Sequence, residues 1–375
     1  MGRELWHYDG SGTPELAADI RAGRHGSDPD RLTVYDGALY FQANDGKTGN
    51  ELWRYDGAEA KRVADINPDT TCTQMDRAQC SANPSFLTVY DGALYFQADD
   101  GKNGDELWRY NGSSVQQVAD INSTTSCDAV RDGRRTTCSS LPSEFAVYDG
   151  ALYFQADDGK NGYELWRYDG STAELVTDID PGSCGADPCS GRPYDLIVFD
   201  NVLYFTASGP KTNYALWKYD GSTTTRVTSP NAPTCAAPDG GAVPCFRSPT
   251  RFAQLNGTLY FNTAEDRVWR HDGSTFERVE LTSDVDSTLA RPYRWISEYR
   301  GALYYAAEAD SGDVYTQLFA LDGTSVRQIT ESRESLGDEL IFRGSVRHLE
   351  VYDGALYFSA AEFRTGMELW RYREQ

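Results

Sequence analysis

The chain has 375 residues, and 57 Asp plus Glu against 35 Lys plus Arg leave a formal net charge of −22. That charge repels nucleic-acid phosphates and anionic lipid headgroups, and no run of ~18 apolar residues is present to span a bilayer, so neither nucleic acid nor membrane insertion is expected. Hydrophobic content is 39%, yet aromatics reach 13%, so large rings carry much of the packing.

Taken from the N-terminus, residues 4–20 read as two strands, ELWHY and ELAADI. A longer unit then appears at Val34–Gly57 and returns almost unchanged at Val89–Gly112 (VYDGALYFQADDGKNGDELWRYNG) and Val147–Gly170. In the second copy the predicted strands are Leu87–Tyr90, Ala93–Ala98, Glu106–Tyr110 and Val115–Ile121, all rich in β-branched and aromatic residues. Asp91-Gly92 joins the first pair and Asn111-Gly112 the last, dipeptides that accept positive φ and so favour tight hairpins.

Beyond Gly170 the copies loosen. The fourth keeps LYF and ALWKYDG but carries Ser208–Asn213 in place of the acidic second connection; the fifth and sixth place Val268-Trp269 and Leu318-Phe319 in the ELW slot. The seventh recovers both motifs. Residues 349–372 supply only the first three strands of a unit, and the aromatic slot (Trp6, Trp53, Trp108, Trp166, Trp217, Trp269, Phe319, Trp370) recurs every 47 to 58 residues.

That period and four consecutive antiparallel strands per unit predict an all-β fold in one domain, 1–375: a seven-bladed β-propeller of four-stranded antiparallel blades, closed by N- and C-terminal strands in one blade. Runs such as Leu94-Tyr95-Phe96 are apolar on both faces, as a blade between two neighbours requires. One ELW strand, Leu5–Tyr8 or Leu369–Tyr372, exceeds the four-strand count.

Connectivity sorts the loops. The one-to-two and three-to-four turns share one face. The two-to-three loops (AxDGKxG) and the connections between units share the other, where long ordered loops most often carry function. Those connections also hold the cysteines, as Cys72/Cys80, Cys127/Cys138, Cys184/Cys189 and Cys235/Cys245, none on a predicted strand. Local pairs in equivalent loops read as four disulfides in an oxidising compartment; zinc competes, against variable spacing and scattered His. Met1-Gly2 opens no signal peptide, so the chain reads as a mature or excised domain.

The units resemble the ELWxxDGT repeat of bacterial secreted and cell-surface proteins, through ELWRYDG at 51–57 and 164–170, DGALYF and ADDGKNG before it, and ADINP at 64–68. The resemblance covers nearly the whole chain, departs at QLFALDG (317–323), and implies export and surface attachment without an established activity.

No nucleophile elbow, P-loop, HExxH or dinucleotide fingerprint is present. The expected function is therefore a non-catalytic binding module, lectin- or adhesin-like, probing a glycan or surface protein as a monomer. Its ligand residues would be Asp99, Asp100, Lys102, Asn103, Asp157, Asp158, Lys160, Asn161 and Tyr163 on the long-loop face. A polysaccharide lyase or hydrolase on the same scaffold is the competing reading. Calcium is a second expectation: Asp45, Asp100 and Asp158 sit in Gly-flanked loops, each followed by a strand-opening Glu51, Glu106 or Glu164. Ordinary Asp-Gly turn chemistry explains the same pattern.

Overall fold

The computed structural model describes residues 3–7, 15–68, 81–123, 130–131, 134–135, 138–185, 187–210, 212–227, 234–236, 242–244, 246, 248–263, 268–279, 282–283, 296–308, 316–323, 325–330, 346–352, 355–362 and 366–372. These residues form strands and turns without a helix, in successive antiparallel meanders that are the blades of a β-propeller. The second sheet shows the pattern, with strands Ser85–Tyr90, Ala93–Asp99, Asp105–Tyr110 and Val115–Ala119 in that order. They match the predicted strands to within two residues at each end.

By compactness the chain divides into one unit of residues 1–210 and 219–224 and a second of 211–218 and 225–375, a division that passes through the fourth sheet (194–226). The first unit carries an N-terminal hairpin, Leu5–His7 with Glu15–Ala18, then the sheets of 30–62, 85–119 and 143–177. The second carries the sheet of 250–278 and a five-stranded sheet. In the latter, Thr282–Ser283 adds parallel to Ser325–Gln328 beyond the meander of 296–328. A three-stranded sheet, Arg347–Tyr352, Ala355–Glu362 and Gly366–Tyr372, follows. Each terminal ELW strand is thus paired within its own unit, Trp6 opposite Leu16 and Trp370 opposite Phe358.

Within each unit the sheets pack face to face, and the LYF run shows how. Leu94 and Phe96 turn toward Tyr40 and Leu52 of the sheet before, while Tyr95 between them joins Leu152, Phe154 and Trp166 of the sheet after. The second unit repeats the arrangement, Tyr305 and Phe319 facing Leu255 and Tyr260, and Tyr304 and Leu318 facing Leu356 and Phe358. A continuous apolar run is therefore required by a strand buried on both faces.

At the end carrying the one-to-two turns, three tyrosines meet at several of the interfaces, as Tyr35, Tyr40 and Tyr110 do with ring centroids 5.5 to 6.3 Å apart. Hydroxyls from the first strands tie one sheet to the next: Tyr35 Oη donates to Gly92 O (2.8 Å), Tyr90 to Gly150 O (2.7 Å) and Tyr148 to Asn201 O (3.0 Å). Because the strand order is sequential and first strands of successive sheets lie nearest one another, these are the innermost strands. Tyr90→Phe removes one tie while keeping the ring, and should lower stability by about 0.5–1.5 kcal/mol in urea titration. An unchanged midpoint would show that the tie contributes nothing.

Short hairpins inside the connections were not legible. Val130–Arg131 pairs with Arg134–Arg135, Ser183–Cys184 with Asp187–Pro188, and Thr234–Ala236 with Ala242–Pro244. Cys184 and Cys235 accordingly lie on strands, contrary to expectation, because a hairpin of two or three residues is too short to show a period-two pattern. Cys184 and Cys189 are disulfide-bonded, and Cys138 is also in a disulfide. Cys72, Cys80, Cys127 and Cys245, and the side chain of Cys235, lie outside the described residues.

Candidate functional site on the long-loop face

The two-to-three loops are built by their own aspartates. Asp100 Oδ1 accepts the N–H groups of Lys102 (2.9 Å) and Asn103 (2.8 Å), and Asp158 Oδ1 those of Lys160 (2.9 Å) and Asn161 (2.8 Å). Asp45 does the same for Lys47 and Thr48. Burial pushes the Asp45 carboxyl up, but these donors and the Thr48 hydroxyl outweigh it and hold the group below its ordinary value. Asn103 Nδ2 turns back to Gln117 Oε1 (3.0 Å) and Asn161 Nδ2 to Asp158 Oδ2 (2.9 Å), which leaves Lys102 and Lys160 as the exposed side chains at the tips.

The glutamates of the calcium expectation are fully buried and have another task. Glu51 accepts Ile66 N at Oε2 (3.0 Å) and Ala82 N at Oε1 (3.3 Å); Glu164 accepts Ile179 N (2.7 Å) and Gly191 N (2.6 Å). Glu106 accepts Ile121 N (3.0 Å), Ser140 N (2.9 Å) and the Ser140 hydroxyl (2.5 Å). Each carboxyl therefore fastens both ends of the connection leading to the next sheet. Burial pushes Glu51 to about 8, Glu106 to about 7 and Glu164 to about 8, against the pull of those donors. The aspartate and glutamate of each loop thus bond to the backbone separately, and no group of three or more His, Cys, Asp or Glu that could hold a metal ion occurs among the described residues.

The loop bases bring other residues together. Asp99 pairs in register with Asp105, and Asp157 with Tyr163. Burial raises Asp99, with the charges of Asp105 and Asp100 adding to it; burial also raises Asp105 and Asp157. Tyr163 is raised by burial and by Asp157 and Asp105, while the Arg192 guanidinium, 5.7 Å from the ring centroid, opposes the shift. The Arg192 N–H also donates to Tyr163 O (2.8 Å). Tyr163, Asp99 and Asp157 were legible as candidates; Asp105 and Arg192 were missed, since Arg192 belongs to the following connection and only the folded chain lays it on the ring.

The backbone enters the inner strands of the first four sheets in a strained form. Asp28, Asn83, Leu141 and Arg192 have φ of 48, 48, 49 and 47°, and three residues on Arg31, Phe86, Glu144 and Asp195 have φ of 59, 56, 61 and 53°. Left-handed backbone at bulky residues costs roughly 1 kcal/mol or more each and persists where surroundings enforce it. A register shift follows in every case, a bulge that re-aims the second residue. Its side chain then meets the neighbouring sheet: the Arg31 guanidinium lies 5.8 Å from the Phe86 ring centroid, and Asp195 N donates to Glu144 Oε2 (2.9 Å). The signal that could have revealed this entry is a proline in register, Pro29, Pro84, Pro142 and Pro193, directly after each first left-handed residue.

No protein-family model and no curated protein matches the chain. Among solved structures it is similar to one of two prolyl endopeptidases, at 11% identity and a TM-score of 0.55 over 92% of this chain and 48% of that one. Puromycin hydrolase is similar at 11% identity and a TM-score of 0.50, over 94% and 52%. The chain spans about half the length of these two proteins. The β-propeller domain of the trilobed protease from Pyrococcus furiosus is similar at 12% identity and a TM-score of 0.46, over 82% and 86%. Identities of this size speak to fold and not to activity.

Proposed function

We propose that the chain is an extracellular, non-catalytic binding module that takes a glycan on the long-loop face of its first unit. The observation that carries this reading is Tyr163 set beside the carboxylates Asp157 and Asp105 with Arg192 against its ring. Carboxylates accept from neighbouring sugar hydroxyls, a guanidinium donates in a fixed plane, and an aromatic ring meets the C–H face of a pyranose. A bonded Cys184–Cys189 pair favours the oxidising compartment where such ligands occur. The propeller architecture supplies rigid strands beneath the site.

The test is a glycan array with the purified chain, followed by titration of any hit against Tyr163→Ala and Arg192→Ala. Either change should weaken binding about tenfold or more, about 1.4 kcal/mol. Retention of full affinity by both variants would move the ligand elsewhere. A parallel panel of polysaccharides addresses catalysis: turnover by the native chain, lost in Asp99→Asn or Asp105→Asn, would replace binding with the hydrolase or lyase reading.

A further inference from the structure

The innermost strands of the first unit present apolar side chains to solvent in a row. Val34, Val89 and Val147 each stand one residue before the tyrosine that ties adjoining sheets, and they are 69, 42 and 43% exposed. Leu32, two residues before Val34 and so on the same face of its strand, is 51% exposed. Thr33 Oγ1 donates to Leu87 O (3.3 Å) and the Phe86 and Phe145 rings lie 6.1 Å apart, so the three strands are neighbours and the valines occupy equivalent positions on them. Scattered surface valines need no explanation, whereas a row at equivalent positions on neighbouring strands marks an interaction surface.

Two residues beyond each valine the chain turns through Asp36, Asp91 and Asp149, all exposed, with φ of 46, 45 and 45°. The fourth sheet adds Asp200 at the same place, and none of these turns contains Lys or Arg. The three-to-four turns bring further acid to this end. The Tyr90 hydroxyl is raised by burial, then by both Asp91 and Asp169, and that of Tyr148 by burial, then by both Asp149 and Asp220. Asp169 and Asp220 accept their own turns' N–H groups, which holds them ionised. Of the cations at this end, Arg54 pairs with Asp56 (3.0 Å), Arg167 with Glu174 (2.9 Å), and the Arg109 guanidinium lies 5.9 Å from the Tyr95 ring centroid.

We propose that this end of the first unit, remote from the long loops, docks a cationic amphipathic polypeptide segment, its apolar side chains on Val34, Val89 and Val147 and its Lys or Arg groups on Asp36, Asp91 and Asp149. Apolar area in the centre with charge at the rim is the usual anatomy of a protein interface. Charge complementarity selects the partner, because an acidic or neutral segment would meet unpaired aspartates.

The probe is a short synthetic peptide of Lys and Leu, compared with Lys/Ser and Glu/Leu peptides of equal length, by fluorescence anisotropy on the full chain. The Lys/Leu peptide should bind in a salt-dependent manner, and the other two about tenfold more weakly or worse. The triple variant Val34→Ser, Val89→Ser, Val147→Ser removes partly exposed side chains and should weaken binding about tenfold while the chain stays folded with a modestly lower melting temperature. Asp36→Asn, Asp91→Asn, Asp149→Asn keeps a residue that tolerates the left-handed turn, and should weaken binding and reduce its salt dependence. Tyr163→Ala should leave peptide binding unchanged, which separates this surface from the glycan site. Equal affinity for the Lys/Ser peptide, no binding at all, or binding indifferent to both triple variants would overturn the proposal.

Discussion

Glu106→Ala is expected to lower the stability of the protein by about 3 kcal/mol or more, the largest effect of any single polar substitution in the first unit. The side chain is fully buried, and it is the acceptor for Ile121 N, Ser140 N and the Ser140 hydroxyl. Truncation removes the carboxylate acceptor of Ile121 N, leaves Ser140 N and its hydroxyl with Asp105 O alone (3.1 and 3.3 Å), and adds a cavity, the lost buried bonds costing roughly 1–3 kcal/mol each. Glu106→Gln keeps one acceptor oxygen and should cost less. The sixth sheet shows such a solution, where buried Gln317 accepts the Thr330 hydroxyl at Oε1 (2.9 Å). In the fourth sheet Ala215 holds the slot, and Ser248 N, beyond the connection, donates to Tyr214 O (2.8 Å). Urea titration of the two variants decides the matter: a loss below about 1 kcal/mol for the alanine would mean that water replaces the carboxyl freely.

Stability should also fall as pH rises from 5 to 8, the reverse of the usual carboxylate behaviour. Burial raises Glu51, Glu106 and Glu164 from an ordinary value of 4.5 to about 8, 7 and 8. Between those limits the folded protein holds protons that the unfolded chain has released, so unfolding discharges protons and rising pH favours it. The contribution is fully present below about 4.5 and is lost as pH climbs through 7 to 8. A tenfold difference in proton affinity corresponds to about 1.4 kcal/mol, so Glu106 alone, raised from 4.5 to about 7, accounts for roughly 3 kcal/mol. Asp99, Asp105, Asp157 and Glu144 are raised by burial too and act in the same direction. The turn aspartates Asp56, Asp169 and Asp220 are lowered by their backbone donors; their contribution is present above the ordinary carboxylate value and is lost only below it, outside this window. Melting temperatures across pH 5 to 8 provide the test, with Glu106→Gln expected to flatten the slope. A profile that is level or rises toward pH 8 would refute protonated glutamates in the fold.

These same glutamates show where a sequence reading stops. Glu106 follows a Gly-flanked loop and opens a strand, which on paper resembles a metal ligand or a surface ion-pair partner. Its partners lie 15 and 34 residues away, in a segment whose return path no local pattern encodes. The loop aspartates were easier, because an Asx turn is contained within four residues and Asp100 with Lys102 and Asn103 can be read as one. The cluster around Tyr163 fell between these cases: Asp157 is its cross-strand partner across a recognisable hairpin, while Arg192 arrives from beyond the Cys184–Cys189 loop.

What the sequence by itself determined is everything set by short range or by repetition. The Asp-Gly and Asn-Gly turns specify hairpins, the recurring LYF and ELW runs specify strands covered on both faces, and their period specifies blades. Tertiary structure decided which strand of each sheet is innermost, and therefore which valines meet solvent and which tyrosines tie neighbouring sheets. It also decided that the repeated glutamate faces inward to backbone amides and that the proline-marked entries of the first four inner strands are left-handed. The physical reason is one of range: a turn or a strand is stabilised by residues a few positions apart, whereas a buried carboxyl, a bulge or a tyrosine hydroxyl takes its energy from groups on the next sheet, and its geometry exists only once two sheets have packed.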